Sequence, residues 1–324
     1  MIKYSVIIPG LNIEKHEPNL SGFVKKTLAL RNDIEFILID DGSTDDTYKK
    51  YSELNIFNIY RQSNHGVSHA RNKGMSLAKG KYILFLDADD SYDISIFEHL
   101  DNELDNGTEL LIFNYSITNV VFDNPTIKKH YNNQEILNLF FSRKIKITIC
   151  SICFNSSFLK KNGVHFPEGY SFGEDIYFII KAISFATKEI TYIPNKLFHY
   201  HLENSNTVKT TINENKIKVL ELYTSLYNEK ILKDNNQYFS YFLQRTLIYL
   251  IKLSFKNGIS NKNAIDALKL QKRLLNEPLK IKTPISFKMA KFVINNFNTL
   301  IFYLLRLKIT HRWLKFLEEI CHEN

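Results

Sequence analysis

The chain has 324 residues, of which 44% are hydrophobic, 13% aromatic and 23% charged, a balance that fills a large core and excludes a disordered or fibrous chain. Three cysteines exclude a disulfide framework, and no run of roughly 18 apolar residues occurs, which excludes a hydropathy-defined membrane span. The net charge of +8 is local: residues 252–324 hold 14 Lys/Arg against 5 Asp/Glu, and the remainder is near neutral, so any attraction to phosphates belongs to the tail.

The first apolar run, Tyr4 to Ile8, is closed by Pro9 and lacks the basic lead-in of a secretory signal, so a cytoplasmic chain is expected. Further β-rich runs follow at Glu35 to Ile39, Asn55 to Tyr60 and Tyr82 to Leu86. They read as strands covered on both faces. Helical patterns lie between them at Leu20 to Leu30, Asp45 to Leu54 and Val67 to Ala78. Such alternation predicts βαβ units and a parallel, doubly wound sheet.

Residues 105 to 210 are less regular and are expected to add strands and loops, including a β-like run from Ile145 to Phe154. Cys150 and Cys153 sit in that run without a second pair. They read as packed strand cysteines ahead of a zinc half-site or a redox pair. Helical periodicity takes over from Asn213, through Leu220 to Leu226, Phe239 to Leu253, Ala264 to Leu275 and Phe287 to Leu307. Pro278 and Pro284 bracket a break in it. The expected organisation is an α/β domain over residues 1–210 and a basic, all-helical region over 211–324.

In open α/β sheets ligands bind beyond the carboxyl ends of the strands. Polar residues gather there: Pro9-Gly10-Leu11-Asn12, then Asp40-Asp41-Gly42-Ser43-Thr44-Asp45, then Asp87-Ala88-Asp89-Asp90. The Asp40 turn by itself fits a helix N-cap. In an extended segment Asp87 and Asp89 share a side, where two carboxylates repel unless a cation lies between them. Hard oxygens of this kind suit Mg²⁺ or Mn²⁺ bridging a diphosphate. An acidic loop with Asp90 or Ser91 capping the next helix explains the same spacing, and on these residues alone both readings stand.

Between these strand ends lies Asn64-His65-Gly66-Val67-Ser68-His69-Ala70-Arg71-Asn72-Lys73-Gly74. With the opening strand and its Pro9 and Asn12, the Asp40 to Asp45 turn and the Tyr82 to Asp90 strand, this ordered set resembles glycosyltransferase family 2, the inverting family with the GT-A fold. The resemblance implies a Rossmann-like, mostly parallel sheet flanked by helices, with the helical region as a C-terminal extension. It implies a metal-dependent inverting transferase that moves a sugar from a nucleotide-diphosphate donor, by default UDP-linked, to a glycan or lipid-linked acceptor. Pro9, Leu11, Asn12, Asp40 and Asp41 would border the nucleobase, and Asn64 would bind substrate. Arg71 would contact the nucleotide or its diphosphate, Asp87 the ribose and metal, and Asp89 the Mn²⁺ or Mg²⁺. Between Pro9 and Asn12 the family usually carries a larger residue and an aromatic, where this chain has Gly10-Leu11.

Past residue 90, Phe172-Gly173-Glu174-Asp175 resembles the family's Glu-Asp motif, which makes Asp175 the expected base with Glu174 beside it. His201 stands where the family often has an arginine near the diphosphate, and a structural or substrate-contact role is expected ahead of metal binding. The basic tail, Asn298 to Lys308 and Arg312 to Phe316, reads either as a peripheral surface for anionic membrane or as an ordinary packed subdomain. A non-catalytic GT-A-fold scaffold in a glycan-assembly complex is the rival function. A dehydrogenase would need a Gly-rich first turn that Pro9-Gly10-Leu11-Asn12 lacks. Nucleic acid is not expected as a partner, since no base-stacking motif accompanies the tail's charge.

Overall fold

A computed structural model describes residues 1–120, 129–201, 214–228, 232, 236–256, 273–288 and 291. The chain divides into two compact units, residues 1–204 and 205–324.

The first unit opens with β1 (Tyr4–Gly10), α1 (Glu17–Leu30), β2 (Ile34–Asp40), α2 (Thr47–Glu53), β3 (Asn58–Arg61), α3 (Val67–Leu77) and β4 (Tyr82–Phe85). The strands lie in the order β3-β2-β1-β4, all parallel, with each helix serving as a crossover. β2 and β4 are buried along their whole length and β1 everywhere except Pro9. β3 departs from that pattern. It is mostly exposed because it forms the sheet edge, and it starts at Asn58 after Asn55 turns the chain with a left-handed φ of 53°. Proline is tolerated in the central β1 for a visible reason. The pairing with β4 ends at Ile7↔Phe85, so no strand on that side needs an N–H from Pro9.

The remainder adds β5 (Ser91–Tyr92), α4 (Ile96–Glu103), β6 (Leu110–Ile117), β7 (His130–Tyr131), α5 (Asn133–Phe141), β8 (Ile152–Asn155), α6 (Ser156–Lys161), α7 (Glu174–Phe185) and β9 (Ile190–Tyr200). They extend the sheet as β4-β8-β6-β9-β5, with β7 also on β9. β6 and β9 are parallel, whereas β8, β5 and β7 pair antiparallel, so the sheet is mixed past β4 and parallel over most of its paired length.

Two local expectations change here. The run from Ile145 becomes strand only at Ile152, after a 3-10 turn at Ile149–Ser151, and both Cys150 and Cys153 are buried and free. The stretch expected to add strands and loops also contains α5. It is started by a reciprocal cap in which Asn132 accepts from the Glu135 N–H while Glu135 accepts from the Asn132 N–H, both at 2.9 Å.

The second unit contains α8 (Glu214–Ile217), α9 (Val219–Asn228), α10 (Gln237–Lys256) and α11 (Arg273–Asn276). Tyr223 meets Phe242 and Tyr227 meets Phe239 across α9 and α10, at 5.1 and 4.8 Å between ring centroids. The segment 202–213 and the basic stretches beyond residue 291 lie outside the described residues. Among the described residues no helix is long and apolar enough to cross a membrane.

Candidate active site

The carboxyl ends of β1, β2 and β4 meet at one edge, and hydrogen bonds there weld the turns after each strand. Asp41 N–H donates to the Gly10 carbonyl at 2.8 Å. Asn12, with a left-handed φ of 54°, donates its N–H to Ser43 Oγ at 2.9 Å, and its side-chain oxygen accepts from the Thr44 N–H at 2.8 Å. Asn12 therefore braces the Asp40 turn against β1. Leu11, next to it, is 45% exposed at the mouth.

Asp40 and Asp41 do different work. Asp40 is fully buried and is spent on the turn: Oδ1 accepts from the Ser43 N–H at 2.9 Å, and Arg61 Nε lies 3.2 Å from Oδ2. Asp41 grips the loop leading into α3. Its carboxylate accepts from Gln62 Nε2 at 2.8 Å and from the His65 and Gly66 N–H groups at 2.9 and 2.8 Å. Asn64 is exposed on that loop, with its backbone nitrogen 2.8 Å from where a Cβ on Gly42 would stand. Gly42 also has a φ of 83°, so the turn admits glycine on both counts.

Each α3 motif residue has a separate partner. Ala70 packs on Ile37 and Ile39. Asn72 holds the segment after α6, accepting from the Phe166 N–H at 2.9 Å and donating to the Phe166 carbonyl at 3.0 Å. Arg71 turns beneath the acidic rim with a side chain only 5% exposed, donating to Asp87 Oδ1 at 2.8 Å, with Glu174 Oε1 at 3.8 Å. Its guanidinium lies 5.3 Å from the centre of the Phe166 ring, which itself stacks on Phe178 at 4.0 Å. Arg71 thus ties the end of β4 to the start of α7. Arg71, expected at the nucleotide or its diphosphate, is hydrogen-bonded here to Asp87.

At that junction Gly173 (φ 81°) starts α7, so Glu174 and Asp175 occupy its first turn, where the helix dipole favours negative charge. Burial, with the neighbouring Asp175, pushes Glu174 up to about 7. Burial raises the half-buried Asp175 as well, against the opposing pull of Arg71. Asp175 Oδ1 accepts from the Ile176 N–H at 2.7 Å.

Among the described residues, ligand atoms of Asp87, Asp90 and Cys150 lie within 4.8 Å of one another. Asp89 is half-buried and stands outside that threefold group. The two carboxylates fit a hard divalent ion. Burial and the adjacent Asp87 push the Cys150 thiol well above its ordinary range, so it stays protonated and is a poor ligand for Mg²⁺ or Mn²⁺. Asp90 Oδ1 accepts from the His201 N–H at 2.8 Å, and the His201 ring lies between Ser91 Oγ at 3.1 Å and Thr118 Oγ1 at 3.2 Å. His201 therefore stands beside the Asp87 to Asp90 turn, although 110 residues separate it from Ser91.

The family described as glycosyl transferase family 2 matches residues 5–162. The chain carries a glycosyl transferase family 2 domain. Among its relatives, the poly(ribitol-phosphate) beta-N-acetylglucosaminyltransferase TarP of Staphylococcus aureus is 27% identical over 261 residues, covering 73% of this chain and 76% of that one. The structure of S. aureus TarS residues 1–349 in complex with UDP aligns with a TM-score of 0.63 at 20% identity, over 91% of this chain and 89% of that one. A mannosyltransferase from Pyrobaculum calidifontis, in complex with GDP-Man and Mn²⁺, aligns with a TM-score of 0.53 at 13% identity, over 98% and 85%. At those identities the likeness is one of fold, and it is the GT-A-like fold expected from the sequence.

Within the family 2 domain, sequence reasoning passed over Asn72 and Gln62 and read Cys150 only as a packed strand cysteine, and Phe166 lies just past its matched span. Asn72 stood inside a quoted motif and could have been singled out. Gln62 and Phe166 are brought to the site from separate elements, and no local spacing marks them.

Proposed function

We propose that this glycosyltransferase is an inverting enzyme using a UDP-linked hexose or N-acetylhexosamine and a divalent ion, with Asp175 as general base. The observation that carries the reading is Arg71, which draws Asp87 at the end of β4 and Glu174 at the start of α7 onto one guanidinium. Asp175 is thereby set beside the acidic rim. Asp41 and Leu11 would border the nucleobase and Asn12 would brace them. Asp87 and Asp89 would hold Mn²⁺ or Mg²⁺, which would supply charge neutralisation for a departing diphosphate. TarS binds UDP and the Pyrobaculum enzyme holds Mn²⁺, which supports both choices by analogy of fold.

The acceptor hydroxyl oxygen attacks the anomeric carbon from the face opposite the diphosphate, its proton passes to an Asp175 carboxylate oxygen, and the bond to the diphosphate breaks with inversion. A carboxyl raised by burial is suited to this, because a base works best with a pKa near the operating pH. Arg71 acts as a positioning residue, holding Asp87 and Glu174 in place. By analogy with TarP, named a poly(ribitol-phosphate) beta-N-acetylglucosaminyltransferase, the acceptor would be a glycan or polymer, and the basic tail would serve as a peripheral membrane anchor.

The test is a thermal-shift screen of nucleotide sugars with and without Mn²⁺, followed by product analysis with the best donor. Asp175→Asn should keep donor binding and lose transfer, and Asp89→Ala should lose Mn²⁺-dependent donor binding. Normal transfer by Asp175→Asn would remove the base assignment.

A further inference from the structure

Two histidines stand on the loop that Asp41 organises, and nothing in the proposed chemistry uses them. The His65 and His69 rings lie 4.8 Å apart at an interplanar angle of 40°. Both are tied to Asp41. His65 donates its own N–H to Asp41 Oδ1 at 2.9 Å, and its ring nitrogen Nε2 lies 2.8 Å from Ser63 Oγ. His69 Nδ1 lies 2.9 Å from Gln62 Nε2, the same amide nitrogen that donates to Asp41 Oδ1 at 2.8 Å.

The chemistry fixes the orientation of this chain of contacts. An ionised carboxylate only accepts, so the Gln62 amide must present its NH₂ there, and its second N–H falls to His69 Nδ1. His69 is held as an acceptor at Nδ1, its ring packed behind that of His65. His65 is exposed, so one face of its ring rests on His69 and the rest is open to solvent.

The geometry points to His65 as a stacking platform for the nucleobase of the donor, backed by His69. This rests on the reading that Asp41 borders the base. A uracil needs two things of a site: an edge partner for its ring N–H, and a flat or apolar surface for its face. Asp41 supplies the first, since its Oδ2 accepts only the Gly66 N–H at 2.8 Å among the described contacts and keeps a lone pair for another donor. The second is supplied by a ring whose own backbone is bonded to that carboxylate. Leu11 offers exposed apolar surface one residue past Gly10, whose carbonyl takes the Asp41 N–H. An exposed ring held by Ser63, His69 and its own backbone costs little entropy to order on binding.

The experiment is isothermal titration of the full chain with UDP and, separately, with inorganic pyrophosphate, both with Mn²⁺. The proteins are wild type, His65→Ala and His65→Phe. His65 is exposed and its bond to Asp41 is made by the backbone, so both variants keep the loop. We expect His65→Ala to weaken UDP roughly tenfold, the low end of what one stacked base contributes, with pyrophosphate unchanged and with His65→Phe restoring UDP binding. UDP binding to His65→Ala at wild-type strength, or a parallel loss of pyrophosphate, overturns the platform while leaving the donor site standing. If wild type binds UDP no better than pyrophosphate, the base reading at Asp41 fails and the platform falls with it.

Discussion

Arg71 is the residue whose surroundings say most about the chemistry. A guanidinium this deeply buried is tolerable because Asp87 pairs with it at 2.8 Å, and removing Asp87 leaves a buried charge without its hydrogen-bonded partner, costing about 3–5 kcal/mol. Glu174 carries a testable consequence of the same crowding. Its native carboxyl is pushed up to about 7 from an ordinary value of 4.5, chiefly by burial and then by Asp175. Between those values the folded chain keeps a proton that the unfolded chain has released, so this group makes stability fall as pH rises through that window. Asp175 acts in the same direction. Thermal melts from pH 4.5 to 8 should show Glu174→Gln losing less Tm across the window than wild type. An identical slope in both proteins would remove Glu174 as the source.

At the scale of elements, α3 is the part that makes the site, and it does so by packing close. A Cβ on Gly74 would fall 2.3 Å from Ile7 Cγ2, so the helix lies on β1 with no room for a methyl group. Gly74→Ala gains about 1 kcal/mol of helix propensity but must shift the helix off the strand, an overpacking cost of about 1–3 kcal/mol. The expected outcome is a Tm lowered by a few degrees together with weaker UDP binding, because Arg71 and the Asp41 loop move with α3. A loss of Tm with donor affinity intact would show that α3's seating is not what positions the site. The motif containing Ala70, Arg71, Asn72 and Gly74 was legible as a string. Its division of labour among sheet, acidic rim, Phe166 loop and β1 was not, because each partner is distant in sequence.

At the scale of the whole molecule, charge separates the chain into a near-neutral catalytic part and a basic end. If that end serves as a peripheral anchor, the full chain should sediment with vesicles containing anionic lipid, not with zwitterionic ones, and should be released by high salt as the surface potential is screened. Equal retention on both vesicle types would remove the anchor reading.

The alternation of apolar runs, the punctuation by Pro9, Gly42 and Gly66, and the ordered polar strand ends were enough to fix the sheet's first half and the family, since these signals are local and repeat at the period of strand or helix. Whether an acidic residue supports the fold or faces a ligand was decided only by tertiary structure. Asp40 and Asp41 are neighbours in the chain, yet one is sealed within a turn and the other governs a loop. The mixed half of the sheet, the placing of His201 beside Asp90 and the joining of Asp87 to Glu174 through Arg71 likewise depend on contacts between residues far apart in the chain, and a spacing pattern holds no record of such contacts.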